Sequence, residues 1–150
     1  MIASDNVQDV IEGVQEALVE TGETITITRT ETVRNPSNPS QVITVEKTYT
    51  ARAYFNEPRD VYVAQGVTVR KDSEIYVDWL SVIDTDTDTL VNDKATVLSN
   101  VESGTWPVWA FETKQADSVK RANGTLYTLL ANTGTNINGV TVMGIHQVER

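Results

Sequence analysis

Polar and apolar residues alternate over a long stretch of the chain, from Glu23 to Phe55. In its first arm, Ile25, Ile27, Arg29, Glu31 and Val33 fall on one side, and Thr24, Thr26, Thr28, Thr30 and Thr32 on the other. In the second arm, Ile43, Val45, Lys47, Tyr49, Ala51, Ala53 and Phe55 share a face. Side chains of a strand repeat every second residue, so each arm offers one face to a core. The segment between them, Asn35-Pro36-Ser37-Asn38-Pro39-Ser40, is turn chemistry: proline fixes φ, and Asn and Ser bond their own backbone. The pattern predicts a hairpin with Ile25 opposite Ala51, Ile27 opposite Tyr49 and Val33 opposite Ile43. Arg29, Glu31 and Lys47 interrupt the apolar face. They predict that residues 29–47 leave the core for solvent or another subunit, and are mobile until the subunit assembles.

A second periodicity precedes the hairpin. Val7, Val10, Ile11, Val14 and Leu18 recur at helical spacing, so a helix is expected from Ser4 to Val19, capped by Ser4 or Asp5 and stopped at Gly22. Asp5, Asp9, Glu12, Glu16 and Glu20 fall on its other face, with no Lys or Arg before residue 25. Acids in the first turn suit the helix dipole, but like charges one turn apart repel. The acidic face therefore reads as a solvated surface, or as one that meets a basic partner or lines a channel.

Beyond the hairpin the pattern is shorter and mostly β. Residues 56–60 read as a loop, Val61–Val63 and Val67–Arg70 as short strands separated by Gly66, and Lys71-Asp72-Ser73 as a turn. Glu74–Ile83 is apolar on both faces, as a central strand would be. Ala95–Val101 and Thr105–Thr113 read as a hairpin closed at Glu102-Ser103-Gly104. Trp106 and Trp109 then face opposite ways, one in the core and one at a wet or contacting surface. Gln115–Ala122 reads as a polar connection with a helical turn. Asn123-Gly124 is a turn, followed by a strand over Thr125–Ala131. Asn132–Gly139 is a linker, and Val140–Val148 a last strand that pairs with the body or with a neighbouring subunit.

Composition removes much chemistry. The chain has 150 residues, no cysteine, one histidine and a net charge of −9. Disulfides, cysteine zinc sites and thiol catalysis are excluded, and sequence-specific nucleic-acid binding is disfavoured. No apolar run reaches the roughly 18 residues of a membrane span, and Met1–Asn6 lacks a basic start, so neither membrane nor secretion is expected. Asp84, Asp86 and Asp88 alternate as calcium ligands can, but an EF-hand beginning at Asp84 needs Gly and Glu where Thr89 and Ala95 stand. No nucleotide fingerprint or nucleophile elbow is present, and His146 reads as structural. No catalytic residue, cofactor or metal is expected.

The order of these pieces resembles the head-completion, or head–tail joining, proteins of tailed bacteriophages. Such chains begin with a helix and then a strand like Ile25-Thr26-Ile27-Thr28-Arg29. A Tyr/Ala-rich strand follows, here Tyr49-Thr50-Ala51-Arg52-Ala53-Tyr54. Next come Asp72-Ser73-Glu74-Ile75-Tyr76-Val77, Asp93-Lys94-Ala95-Thr96-Val97, Gly104-Thr105-Trp106-Pro107-Val108 and a strand like Leu126-Tyr127-Thr128-Leu129. The likeness spans residues 5–131. Asn92 stands where the family usually has Gly, and the residues from Asn132 onward are extra. The resemblance implies a virion protein assembled in the host cytoplasm. It would form a homo-oligomeric ring in the phage neck, a hexamer or else a dodecamer, that joins the portal or its adaptor to the tail terminator. Genomic DNA would pass through non-specifically, since an acidic channel does not hold phosphates.

The expected architecture is mainly β: one domain over residues 1–150, with a small β-barrel or sandwich-like body. An N-terminal helix would occupy residues 1–22, the β body, with a long protruding hairpin, 23–131, and an extended C-terminal tail 132–150. Candidate interface or channel residues are Asp5, Asp9, Glu12, Glu16, Glu20, Arg29, Glu31, Lys47, Trp106 and Trp109. The alternatives are a tail terminator or collar component, or a stand-alone β-sandwich module with Trp79, Trp106 and Trp109 as carbohydrate-stacking candidates.

Overall fold

The computed structural model describes residues 3–56, 61–63, 67–69, 73–134, 136–137 and 139–149. The expected loop at 57–60, Gly66, Arg70 and the turn residues Lys71 and Asp72 lie outside them. Helix α1 (Ala3–Thr21) leads into strands β1 (Glu23–Asn35) and β2 (Asn38–Asn56), a short pair β3 (Val61–Val63) and β4 (Val67–Val69), then β5 (Glu74–Asp84) and β6 (Thr89–Leu90). A second helix α2 (Lys94–Ser103) precedes β7 (Ser118–Lys120), β8 (Leu126–Asn132), β9 (Asn136–Ile137), β10 (Val140–Thr141) and β11 (Gly144–Glu149).

The strands form a closed antiparallel barrel. Around it run β11, β8, β7, β1, β2 and β5, and β5 pairs back onto β11 to close the ring. Closure leaves none of these six strands with an open edge along the part that belongs to the wall. Ile25, Ile27, Ala51, Ala53, Ile75, Val77, Val119, Leu129 and Val148 belong to one buried cluster. The β2–β5 register slips between Thr50 and Arg52, so Val77 stands opposite Ala53 while Asp84 stands opposite Tyr49. That irregularity reverses the parity of β5 and explains why Ile75, Val77, Leu80 and Val82 are all buried, as the two-sided apolar pattern suggests.

Helix α1 starts before Ser4 and Asp5, so both lie within its first turn rather than ahead of it. Val7, Ile11 and Leu18 are buried, and Val10 and Val14 half-buried. Its last turn has no basic residue of its own. Arg52 from β2 supplies the charge, donating to Leu18 O at 2.9 Å and Val19 O at 3.1 Å, where the helix carbonyls are electronegative. Gly22 ends the helix, its N–H donating to Leu18 O, and a Cβ at Gly22 would overlap that same carbonyl.

Three expectations are corrected. Ala95–Val101 is helical, not a strand: Asp93 caps α2 by accepting from Thr96 N–H, and Gly104 ends it at φ 70°. Thr105–Thr113 then forms no strand, and side-chain amides bond its backbone at Val108 and Phe111. Asn92, 2% exposed, accepts from Phe111 N–H and donates to Phe111 O and Trp79 O, and Asn100 donates to Val108 O. Ser118–Lys120 is a strand, β7, where a helical turn is expected. The predicted turn at Asn123-Gly124 is present, with Gly124 at φ 90°. Of the two partners open to the last strand, the body or a neighbouring subunit, residues 144–149 take the body and close the barrel.

Candidate functional site

The expected hairpin register is observed residue for residue from Glu23↔Ala53 to Arg34↔Val42. The turn is shorter than the six polar residues suggest. Only Pro36 and Ser37 lie outside the strands, and Asn35 Oδ1 accepts from Ser37 N–H. The slip between Arg34 and Asn35 leaves residues 39–41 as the irregular part of the second arm. β7 accompanies β1 only to Thr28, and β5 accompanies β2 only from Tyr49. Beyond those points, among the described residues, β1 and β2 pair only with each other; Asn35 and Ile43 are half-buried and every other residue from Thr30 to Glu46 is exposed.

The base of this ribbon is held on both sides. Arg29 donates through Nε and Nη2 to the two oxygens of Asp117, at 3.0 and 2.7 Å, and through Nη2 to Glu112 O at 2.6 Å. Its guanidinium lies 4.4 Å from the centre of the Phe111 ring. Burial opposes the charge of Arg29, but the Asp117 carboxylate outweighs it and the pKa is raised. On the other side, Lys47 Nζ is 2.8 Å from Asp84 Oδ2. That contact raises the Lys47 pKa and, with the Asp86 N–H, lowers that of Asp84. So Arg29 and Lys47 do not begin the free part of the hairpin, as their charge suggests: they are its anchors. Glu31, in contrast, is exposed. On its side of the ribbon Val33 and Val45 are also exposed, with Ile43 between them.

At the opposite end of β2 lies a groove of about 550 Å³. One wall is α1, through Val10, Gly13, Val14, Ala17, Leu18 and Thr21; the other is Tyr54, Asn56, Tyr76 and Met143. It is mostly apolar, with Thr21 and Asn56 as its polar lining, and Gly13, Ala17 and Tyr54 on its walls are exposed.

The remaining candidate residues are dispersed. Asp5 lies in the first turn of α1; Asp9, Glu16 and Glu20 are exposed along it. Glu12 accepts from Lys94 of α2 at 2.7 Å, which lowers its pKa, so one acid of the face is used internally. Trp106 is 67% exposed, whereas Trp109 is buried, donates to Thr141 O and meets Trp79 edge to face at 5.2 Å. One tryptophan inside and one outside is the expected division.

A polar chain inside the barrel wall had no sequence signal beyond the single histidine. His146 is fully buried, with Nδ1 2.7 Å from Leu130 O and Nε2 2.7 Å from Thr113 Oγ1. A carbonyl only accepts, so Nδ1 carries the proton and Nε2 accepts from Thr113. Thr113 Oγ1 in turn accepts from Trp79 Nε1–H at 2.9 Å. Every member is satisfied with neutral imidazole, and burial lowers the His146 pKa against the opposing pull of Leu130 O and Asp117. The chain needs Gly144: a Cβ there would overlap Thr113 Oγ1 and lie 2.8 Å from Trp79 Nε1. This is a structural use of the histidine.

Among the described residues no group of three or more His, Asp or Glu is placed to hold a metal, and no helix is long and apolar enough to cross a membrane. No family model, curated protein or solved structure matches the chain.

Proposed function

We propose that this chain is a structural subunit of a tailed-phage neck, assembling as a ring that joins head to tail and surrounds the DNA path. The observation that carries the reading is the ribbon. A β-hairpin extends past a closed barrel, is anchored at Arg29 and Lys47, and exposes Val33 and Val45 on the face that is core in the barrel. An isolated protein gains little by ordering such an element without burying it. A subunit that packs the ribbon against a neighbour recovers that burial. The order of motifs along residues 5–131 supports the neck specifically, and the exposed acids Asp9, Glu16 and Glu20 suit a surface past which DNA slides. The protein acts by assembly and carries out no reaction.

The stand-alone carbohydrate module loses support, since Trp79 and Trp109 are both core residues and only Trp106 remains for stacking.

Mass measurement of the native protein, alone and with portal and adaptor rings, tests the proposal. The expected result is a discrete assembly in multiples of 16.6 kDa, visible as a ring by electron microscopy. A strict monomer that ignores the portal assembly would overturn it.

A further inference from the structure

Helix α1 is held to the barrel by a side chain that has a second use within reach. Arg52 of β2 donates to Leu18 O and Val19 O at the end of α1. Directly across the β2–β5 ladder from Arg52 stands Asp78. Residues opposed in this way lie about 5 Å apart and project from the same face of the sheet. The next pair on that face, Tyr54 and Tyr76, lines the groove together with Leu18. Asp78 therefore lies on the side of the wall that α1 covers, and it is 6% exposed. Among the described residues its carboxyl accepts one hydrogen bond, from Leu80 N–H, and meets no cation. A carboxylate taken out of water needs a cation or several donors. The cation that the ladder sets beside it, Arg52, is engaged by the helix instead.

We propose that α1 is an arm with two positions. Docked, it takes the guanidinium of Arg52 for its last carbonyls. Released, it leaves Arg52 to Asp78, and ionisation of Asp78 drives the release. Gly22, between α1 and β1, is the pivot. The released arm uncovers Tyr54 and Tyr76. The device belongs to the single subunit and does not depend on assembly. Other ionisable groups around Asp78 are turned away or engaged. On α1, Asp5 lies in the far first turn, Asp9, Glu16 and Glu20 are exposed, and Glu12 is bonded to Lys94 of α2. On β5, Glu74 is four residues away, and Asp84 lies beyond the register slip, paired with Lys47. On β11, His146 stands opposite the buried Ile75 and turns to the interior. Burial raises Asp78 to about 6 in the docked position, against 3.8 for a carboxyl in water. The released form binds the proton less tightly. Docking therefore weakens as pH rises from 3.8 to about 6 and levels off above that, by about a hundredfold in all.

The absence of cysteine makes the test direct. Glu16→Cys on α1 and Thr128→Cys on β8 are both exposed positions, and nitroxide labels on the pair report the helix-to-barrel distance by electron spin resonance. The expected result is one narrow distance near pH 4.5 and a second, longer population near pH 8. Asp78→Asn should keep the narrow distance at both. Arg52→Gln, which loses its hold on Leu18 O and Val19 O, should show the longer population already at pH 4.5. Amides of the core residues Val119 and Leu129 should stay protected from hydrogen exchange throughout. The same distance distribution at both pH values in the otherwise native chain overturns the arm, as does a pH response that survives Asp78→Asn. A longer distance that comes with loss of protection at Val119 and Leu129 is unfolding of the whole domain and overturns it too.

Discussion

Arg29 and Lys47 stand directly opposite each other across the β1–β2 ribbon, and each reaches away to its own carboxylate, Asp117 on one flank and Asp84 on the other. Two like charges facing across strands repel. Here that pair marks the level of the salt bridges that hold the hairpin to the body. Beyond it, among the described residues, the two strands pair only with each other.

The two anchors should contribute unequally. The Arg29 and Asp117 side chains are 12% and 5% exposed, while Lys47 is 40% exposed. Removing one partner of a buried pair leaves a charge unmatched, so Arg29→Ala should cost about 3 kcal/mol or more. Lys47→Ala, at the surface, should cost under about 1 kcal/mol. Urea unfolding of both variants checks this; equal losses would refute the asymmetry.

Hydrogen exchange should divide the hairpin at those anchors. In the free subunit, amides from Thr30 to Glu46 should exchange faster than those from Ile25 to Arg29 and from Lys47 to Ala53, because a two-stranded ribbon opens without disturbing the core. On assembly the fast set should slow. Uniform protection in the free protein would show that the ribbon is as stable as the wall.

Two buried groups tie stability to pH in opposite senses. His146 has a folded pKa below its ordinary value of 6.5, so the unfolded chain takes up the proton first. Its contribution is full above about pH 6.5 and is lost as pH falls from there. Burial raises Asp78 to about 6, against a model-compound value of 3.8, although the Leu80 N–H opposes the rise. Its neutral form is favoured in the fold, so its contribution is full below pH 3.8 and is lost as pH rises through about 6. Asp78→Asn should therefore stabilise the protein at pH 7, by about 2 kcal/mol, and have little effect near pH 4. His146→Gln should lower stability at pH 7 and abolish the loss that begins below 6.5. Denaturation midpoints between pH 4 and 8 for the three proteins decide it.

Gly144→Ala should be severe for a surface-sized change. The added methyl displaces Thr113 and, through it, the hydrogen bonds of Trp79 and His146, on the strand that closes the barrel. A loss of about 3 kcal/mol is expected from overpacking plus an unsatisfied buried polar group. If the melting temperature stays within a degree or two of wild type, the network is looser than its geometry implies.

Local pattern by itself determined much of this protein. The period-two alternation set the β1–β2 register, because a slip of one residue would turn Ile25, Ile27 and Ala51 to the outside. The helical stripe set α1, and Asn123-Gly124 set its turn. Tertiary structure decided what local pattern left ambiguous. Ala95–Val101 alternates well enough for a strand, but Asp93 and Gly104 cap it as a helix, and the segment expected to pair with it is bonded at Phe111 and Val108 by the side chains of Asn92 and Asn100. By its pattern β11 could pair with the body or with a neighbour, and the barrel closes because it meets β5. Arg29 looked like a residue for solvent or another subunit, since with Glu31 and Lys47 it interrupts the apolar face of the hairpin. Its partner, Asp117, is 88 residues away, and only the folded barrel brings a buried cation to a buried carboxylate.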